Sequence, residues 1–300
     1  MHCLVRIAIP LTIFSILVVG EQAVAQDFDP QQTLRNSVPY LKRRASFHTR
    51  LTKKAAAPTK PKSFETPNGW FPVTYPSTNG LELKAWLHIP KDRKQAPFTA
   101  VVYFHGNFAL HDYDFRKTKP FVDEGYVVLM PTLRGENGNA GHHEMFFGEV
   151  EDGMNAIRWL ARQDFVDKQR IHTFGHSAGG VISTMLSLHE NIPVRNGGSS
   201  GGLYGSNLFD LIKDKVPFDL KNPEERNMRI LAGNIRWMQR PHVAFVGDED
   251  AGLFQGVKEA EQELETLRNP KLKIVRHPGT HNSALPAAIQ QYVKMIKAAS

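Results

Sequence analysis

The stretch Gly175-His176-Ser177-Ala178-Gly179-Gly180 joins a predicted strand to a predicted helix, and it is the best starting point for interpreting this chain. Residues Arg170–Phe174 before it are predicted to form a strand, and residues 178–188 after it favour a helix. Small residues around a serine allow the sharp turn that lifts its hydroxyl clear of the sheet edge. We therefore predict that Ser177 is a nucleophile. The alternative is a glycine-rich turn without a catalytic role.

A serine hydroxyl is a weak nucleophile at neutral pH and needs a general base held in place by an acid. Acidic residues follow the predicted strand Pro241–Val246, at a carboxyl strand end where open α/β sheets place their sites. We predict Asp250 as the acid because it lies further into this loop than Asp248; Glu249 is a third candidate.

Two histidines follow the next predicted strand, Leu272–Arg276. His281 lies deeper in its loop, just before the last predicted helix, whereas His277 is still close to the strand. We therefore predict His281 as the base, with His277 as the alternative.

Negative charge that develops on an attacked carbonyl oxygen needs two aligned backbone N–H groups. Ala178, the residue after the serine, is expected to supply one of them. The loop Phe104-His105-Gly106-Asn107-Phe108 after an earlier predicted strand is expected to supply the other. We favour Asn107 as this donor over Phe108; a plain loop with a structural His105 is the alternative.

Strands and helices alternate from residue 70 onward, and this order predicts an α/β fold with a mostly parallel sheet and helices on both faces. The predicted strands are Trp70–Tyr75, Leu81–Ile89, Ala100–Phe104, Tyr126–Met130, Arg170–Phe174, Pro241–Val246 and Leu272–Arg276. The predicted helices are Tyr113–Val122, Glu149–Ala161, Ala178–Leu188, Gln255–Leu267 and Leu285–Ala298. The glycine run 197–202 is expected to end a further strand. Residues 203–237 then either cap the site or form ordinary surface helices.

The first 25 residues have the features of a signal peptide: a positively charged residue, Arg6, before an apolar run, and small residues at Ala23 and Ala25. An uncleaved anchor helix is the alternative. A chain with this signal peptide would be exported to the periplasm or the extracellular space and cleaved after Ala25. The single cysteine excludes a disulfide framework.

Residues 26–66 are expected to be a basic, solvated linker ahead of a catalytic domain over residues 67–300. The segment 27–66 carries nine Lys or Arg against three Asp or Glu, so it holds most of the chain's net charge of +7. The remaining body is nearly neutral, which argues against nucleic-acid binding. A weak contact of the basic segment with an anionic surface is the functional alternative to a simple tether.

Several further motifs appear in a fixed order: Phe104-His105-Gly106-Asn107, Arg134-Gly135-Glu136-Asn137-Gly138-Asn139, Gly148-Glu149-Val150-Glu151-Asp152, Asp167 with Arg170-Ile171, Gly175–Gly180, Gly247 with Asp250, and His281. Together they resemble the catalytic domain of the prolyl oligopeptidase family and, more loosely, the dienelactone hydrolases, within the α/β-hydrolase superfamily. The resemblance covers roughly residues 70–298. It implies the α/β-hydrolase fold, with Ser177 as nucleophile, Asp250 as acid and His281 as base.

The expected activity is hydrolysis of a carboxylic ester or a short peptide or amide bond through an acyl-enzyme, with no metal or organic cofactor. His142-His143-Glu144 is interpreted as a loop at the pocket rim rather than a metal site, because neighbouring side chains point in different directions. Two other functions remain open: a non-catalytic binding protein with a hydrolase fold, and a C–C bond hydrolase or haloperoxidase-like enzyme with the same triad.

Overall fold

A computed structural model describes residues 38–268 and 270–299 of the chain. In this part, eight strands form one sheet: β1 (Trp70–Pro76), β2 (Glu82–His88), β3 (Phe98–Phe104), β4 (Val127–Pro131), β5 (Val166–His176), β6 (Asn196–Ser200), β7 (His242–Gly247) and β8 (Leu272–His277). Their order across the sheet is β1-β2-β4-β3-β5-β6-β7-β8. The β1–β2 and β2–β4 pairs are antiparallel, and the pairs from β4 through β3 to β8 are parallel.

The helices cover both faces of the sheet. They are α1 (Tyr40–Ser46), α2 (Asp112–Lys117), α3 (Lys119–Asp123), α4 (Gly148–Leu160), α5 (Ala178–Leu186), α6 (Leu208–Leu211), α7 (Pro223–Asn227), α8 (Phe254–Glu265) and α9 (Leu285–Ala298). The expected α/β-hydrolase fold, a mostly parallel sheet flanked by helices, is confirmed.

Strand β4 shows why a strand in the middle of this sheet can be apolar along its whole length. Alternate side chains of a strand point to opposite faces of the sheet. Val127 and Leu129 belong to the apolar cluster that includes residues of α4 and α5. Val128 and Met130 belong to the cluster on the other face, which includes residues of α3 and α9. A strand covered on both faces cannot show a polar side, so its sequence is a continuous apolar run.

Strand β6 consists largely of the glycine run that we expected to end a strand. Glycine is depleted in strands, and the sequence predicted only that the run ends one. A Cβ on Gly197 would lie 2.5 Å from Nδ1 of His242, and one on Gly198 would lie 2.8 Å from Cε2 of Tyr292. Large side chains of neighbouring elements therefore occupy the space that β6 side chains would need.

The segment before residue 67 does not behave as the solvated linker that we expected, as far as it is described. Helix α1 packs on the body of the protein and buries Tyr40 and Arg44. Arg44 forms an ion pair with Glu151, with 2.9 Å between Nη2 and Oε1, and donates a hydrogen bond of 2.7 Å to the carbonyl of Phe147. Arg44 thus pairs with the body instead of facing water.

Further along, the backbone of this segment is tied to the loop after β4. Ala57 donates to the carbonyl of Gly135 over 3.0 Å, and His143 donates to the carbonyl of Ala55 over 2.9 Å. Leu51 forms an isolated antiparallel bridge with Phe218. Residues 38–57 therefore form a strap across the loops of the domain.

The proposed signal peptide lies outside the described residues. Within residues 38–268 and 270–299, no helix is both long and apolar enough to cross a membrane.

Candidate active site

Ser177 lies in the sharp turn between β5 and α5, where the sequence pattern predicted it. Its backbone has φ 55° and ψ −120°, a conformation that residues other than glycine rarely adopt. A Cβ on Gly175 would lie 2.0 Å from the carbonyl oxygen of Gly179, so the turn closes only around glycine. The amide of Ser177 donates to the carbonyl of Ser200 on β6 over 2.9 Å. Such local strain is typical of functional positions.

Asp250 and His281 meet at the carboxyl ends of β7 and β8. The distance from Oδ2 of Asp250 to Nδ1 of His281 is 2.6 Å. The Asp250 carboxylate is almost fully buried, whereas the imidazole is 28% exposed. This contact holds one ring nitrogen of His281 and leaves Nε2 as the nitrogen that can exchange a proton with a neighbour.

The alternative acids and the alternative base take no part in the contact between Asp250 and His281. Asp248 and Glu249 are exposed, and their amides donate to the carbonyls of His277 and Gly279. The ring of His277 stacks on Phe245, with 5.6 Å between the centroids. No hydrogen bond or ion pair joins these side chains to Asp250 or His281 in the described part of the chain.

The His281 ring lies next to the turn that carries Ser177. Its centroid is 5.1 Å from that of His176, whose Nε2 is 3.1 Å from the His281 carbonyl oxygen. Burial lowers the pKa of His176 to about 4, so this imidazole is neutral at pH 7 and donates a hydrogen bond from Nε2 to that carbonyl oxygen. Gly201, directly after β6, leaves room for the ring: a Cβ there would lie 2.6 Å from its Cε1.

Tyr204 is a site residue that the sequence interpretation missed. Burial raises the pKa of Tyr204, a hydrogen bond with the Ser177 side chain lowers it, and nearby Asp250 raises it further, so the phenol stays protonated at neutral pH. Its ring centroid is 6.4 Å from that of His281. The only signal in the sequence was that residues 203–237 could cover the pocket.

The rest of residues 203–237 packs onto the strap and onto α8 rather than over Ser177. Thr49 and the amide of Arg50 both bind the carboxylate of Glu225, and Gly233 donates to Glu263 on α8. Of the two expectations for this excursion, ordinary surface helices describe most of it, and its first residues reach the site through Tyr204.

Asn107 and Ala178, the two predicted amide donors, face one small cavity. Asn107 has φ 58°, the left-handed conformation that asparagine tolerates better than most residues. A Cβ on Gly106 would lie 3.6 Å from Cβ of Ser177, so this loop runs directly against the turn. Ala178 begins α5, where backbone amides have no partner within the helix. Phe108, the alternative donor, also lines the cavity.

The centre of a water-sized sphere can move within about 10 Å³ of this cavity. It is lined by Phe104, His105, Asn107, Phe108, Pro131, Leu133, Glu136, His143, Phe146, Glu149, Ala178, Gly179 and Ile182. His143, from the loop interpreted as a pocket rim, is buried in this lining. Within the described residues, no group of three or more His, Cys, Asp or Glu is arranged to hold a metal ion.

Two buried histidine–carboxylate pairs belong to the lining. His105 and Glu136 approach to 3.2 Å, and His143 and Glu149 to 3.0 Å. Burial lowers the pKa of His105, but Glu136, Asp114 and the carbonyl of Gly106 together raise it, so the net shift is upward. Burial raises the pKa of Glu149, but His143 and other donors lower it to about 2. Glu149 is therefore ionised at neutral pH. Its Oε2 and the Nε2 of His143 are buried without a hydrogen-bond partner.

Comparison with known families identifies the chain. The model of the X-Pro dipeptidyl-peptidase (S15) family matches residues 29–194, more than half of the 300 residues. The chain belongs to the S15 family. The match includes Asn107, Ser177 and Ala178 and ends before Asp250 and His281. The narrower resemblance to the prolyl oligopeptidase family stays a prediction for this S15 protein.

Two curated relatives are also peptidases by name. An uncharacterized peptidase, YtmA, of Bacillus subtilis is 26% identical over 64% of this chain and 79% of its own length. Dipeptidyl-peptidase 5 of Porphyromonas gingivalis is 25% identical over 38% of this chain and 18% of its own length.

Solved structures confirm the α/β-hydrolase fold. The Pyrococcus furiosus esterase Pf2001 superposes with a TM-score of 0.62 at 16% identity, covering 82% of this chain and 97% of its own. The Pyrococcus horikoshii acylaminoacyl peptidase gives 0.59 at 18% identity, over 77% of this chain and 41% of its own. Porphyromonas gingivalis dipeptidyl peptidase 4 superposes with a TM-score of 0.62 at 17% identity, covering 76% of this chain and 35% of its own. Taken with the family match, these relatives make the S15 chain a serine hydrolase.

Proposed function

We propose that this S15 chain hydrolyses carboxylic esters or short peptide or amide bonds through an acyl-enzyme, with Ser177, Asp250 and His281 as its triad. The observation that carries the proposal is the 2.6 Å contact between Asp250 and His281, beside the strained turn of Ser177. A carboxylate that orients an imidazole next to an exposed serine is the arrangement that activates this nucleophile.

In the first half of the reaction, His281 takes the hydroxyl proton of Ser177 through Nε2 while Oγ attacks the substrate carbonyl. Asp250 holds the ring through Nδ1 and stabilises the imidazolium that forms. The amides of Asn107 and Ala178 donate to the oxyanion of the tetrahedral intermediate. Collapse of the intermediate breaks the bond to the leaving group, which takes the proton from His281 and departs.

In the second half, His281 takes a proton from a water molecule that attacks the acyl-enzyme, and it returns that proton to Oγ of Ser177 as the carboxylic acid product leaves. Every proton in this cycle moves between His281 and a neighbouring oxygen or nitrogen. The scheme uses the triad, the two backbone amides and one water molecule.

The relatives favour both ester and amide bonds. The chain spans 97% of the esterase but only 41% and 35% of the two peptidase chains, so those peptidases contain large parts that this match does not cover. The substrates of the longer proteins are therefore carried over here only as members of a test panel.

The decisive experiment compares the wild type with Ser177→Ala on p-nitrophenyl esters and on X-Pro and acyl-amino-acid anilides. We expect the wild type to hydrolyse at least one class and the variant to lose roughly 10³-fold or more of that activity. A folded wild type that hydrolyses neither class would favour the binding-protein alternative. Cleavage of C–C bonds instead would favour the alternative of a C–C bond hydrolase with the same triad.

We further propose that residues 1–25 are removed on export and that the basic segment 27–66 contributes at most a weak contact with anionic surfaces. The support for removal is that a positive charge, an apolar run and then the small residues Ala23 and Ala25 follow one another in this order. Mass spectrometry of the protein from a secreting host tests this, since a chain that begins at Gln26 is expected and an intact Met1 would contradict it.

A further inference from the structure

His176 contacts two loops that meet at the turn of Ser177. Its Nε2 lies 3.1 Å from the carbonyl oxygen of His281. A Cβ on Gly106 would lie 3.1 Å from Nδ1, the other ring nitrogen. Gly106 directly precedes Asn107, one of the two predicted amide donors. This buried side chain therefore touches both the main chain of the proposed base and the loop of a proposed oxyanion donor.

The hydrogen bond to His281 decides which ring nitrogen of His176 carries the proton. A carbonyl oxygen can only accept a hydrogen bond, so Nε2 is the protonated nitrogen of this neutral imidazole. Nδ1 is buried and has no hydrogen-bond partner within residues 38–268 and 270–299. What distinguishes this imidazole from an apolar side chain of similar size is therefore one donor, directed at His281.

This hydrogen bond connects parts of the chain that are 105 residues apart in sequence. It joins the loop 278–284 to the turn 175–180, and no other hydrogen bond among the described residues does so. Asp250 binds the His281 ring from a different place, the loop after β7. Without the bond from His176, no hydrogen bond would tie the loop of the proposed base to the turn of the proposed nucleophile.

The position of the His281 main chain matters for the proposed chemistry. A general base must lie within hydrogen-bond reach of the proton that it takes. Misplacement of a catalytic group by about 1 Å can reduce the rate roughly a hundredfold. The main chain of His281 sets where its ring starts, and the contact with Asp250 sets which way the ring faces.

We propose that His176 is a positioning residue, whose Nε2–H holds the main chain of His281 at the distance from which the His281 ring reaches Oγ of Ser177. The inference rests on the proposed function, since it requires His281 as base and Ser177 as nucleophile. Burial lowers the pKa of His176 to about 4, so this side chain stays neutral at pH 7 and acts through His281 without taking a proton itself.

His176→Gln and His176→Met form a matched pair of variants. Both side chains are unbranched and similar in length, but only glutamine has an N–H group that can donate to the His281 carbonyl. Packing alone favours methionine, because it fills irregular apolar space and brings no amide into a buried position. The positioning role favours glutamine, so the two explanations predict opposite orders of activity.

The test measures kcat and KM of both variants on a substrate that the wild type hydrolyses, together with urea unfolding. We expect kcat of His176→Met to fall about tenfold or more, with KM within about twofold of the wild type. His176→Gln should recover most of this loss in kcat, although it should be no more stable to urea than His176→Met.

His172→Met is the control for loss of a buried imidazole. His172 lies earlier in β5 and is 1% exposed, and its hydrogen bond goes to the side chain of Asn196 on β6. Burial lowers its pKa to about 4 as well, so a neutral ring is removed in both cases. We expect the control to lose stability and to keep kcat within about twofold of the wild type.

The wild type offers a measurement that needs no active variant. Nitrogen NMR of histidine-labelled protein distinguishes a protonated ring nitrogen from a bare one, and the His176 signals are those missing from His176→Gln. We expect the proton on Nε2 at pH 7. A proton on Nδ1 would overturn the contact and the proposal.

The kinetic outcomes separate the inference from the proposed function. Equal kcat in His176→Gln and His176→Met, a change confined to KM, or an equal loss in His172→Met would overturn the positioning role and leave the triad in place. A wild type that hydrolyses no ester and no amide and forms no covalent adduct at Ser177 would contradict the proposed function, and the positioning role with it.

Discussion

The His281 ring packs directly against the backbone of Gly201, so closely that a Cβ on Gly201 would lie 2.6 Å from Cε1 of the ring. Gly201 also has φ +66°, a conformation that L side chains rarely adopt. A residue at the end of β6, with no polar side chain of its own, thus fixes where the proposed base can lie relative to Ser177.

Replacement of Gly201 by alanine is expected to displace His281 and reduce kcat/KM by about tenfold to a hundredfold, because small misplacements of a catalytic group have effects of this order. Gly125→Ala is the control: Gly125 has φ +73°, and a Cβ there would meet no atom within 4 Å. Both variants should lose a similar ~1–2 kcal/mol of stability from backbone strain. Equal activities of the two variants in a steady-state assay would contradict this role of Gly201.

Asp250→Asn tests the proposed acid against its neighbour. The amide cannot stabilise an imidazolium and can hold the wrong tautomer of His281, so we expect kcat to fall by roughly 10²–10⁴-fold. Asp248→Asn makes the same change on an exposed side chain two residues earlier and should stay within about twofold of the wild type. A large loss in Asp248→Asn with little in Asp250→Asn would reverse the assignment. Steady-state kinetics and circular dichroism of both variants decide it.

Tyr204→Phe removes the hydroxyl that contacts Ser177. Loss of one hydrogen bond of about 1–2 kcal/mol corresponds to roughly a fivefold to thirtyfold decrease, and we expect it in kcat rather than in KM, because the hydroxyl orients the nucleophile. Tyr126→Phe, at a buried tyrosine on the far side of the sheet, is the control for removal of a phenol oxygen. A change confined to KM would mean that Tyr204 binds substrate instead.

Acid sensitivity is expected from buried neutral histidines, among them His242 between β6 and β8. Burial lowers the pKa of His242 to about 3, whereas the unfolded chain titrates near 6.5. The unfolded state therefore binds a proton between these values and the folded state does not, so stability falls as pH drops below about 6.5.

Removal of the His242 imidazole should make the free energy of unfolding less dependent on pH. At pH 5, His242→Asn should recover up to about 2 kcal/mol of the stability that the wild type loses between pH 6.5 and pH 5. Urea unfolding of both proteins at the two pH values measures this difference. Parallel losses in wild type and variant would show that His242 is not responsible.

The sequence was informative where chemistry and local structure coincide. The strand, turn and helix around Ser177 follow from short-range pattern, and the loop positions of Asp250 and His281 follow from the rule that sites lie at carboxyl strand ends. The structure brings these last two residues into contact, and their catalytic roles stay predictions. The choice of Asp250 over Asp248 needed only the position in the loop, and the exposure of Asp248 agrees with it.

The sequence was less informative where tertiary packing decides. Strand β6 needs glycine at Gly197 and Gly198 because His242 and Tyr292 fill the space beside them, and no local pattern contains that information. Arg44 looked like a solvated charge because its partner Glu151 is more than a hundred residues away in the chain. Tyr204 has no motif of its own, so its contact with Ser177 depends entirely on the path of the chain after β6.

The central claim is that Ser177 is an activated nucleophile, and covalent labelling with a fluorophosphonate probe tests it most directly. The reaction of wild type and Ser177→Ala is followed by intact mass and by sequencing of the labelled peptide. We expect one adduct on Ser177 in the wild type and none in the variant. A folded wild type that stays unlabelled, or a label on another residue that persists in Ser177→Ala, would contradict the claim.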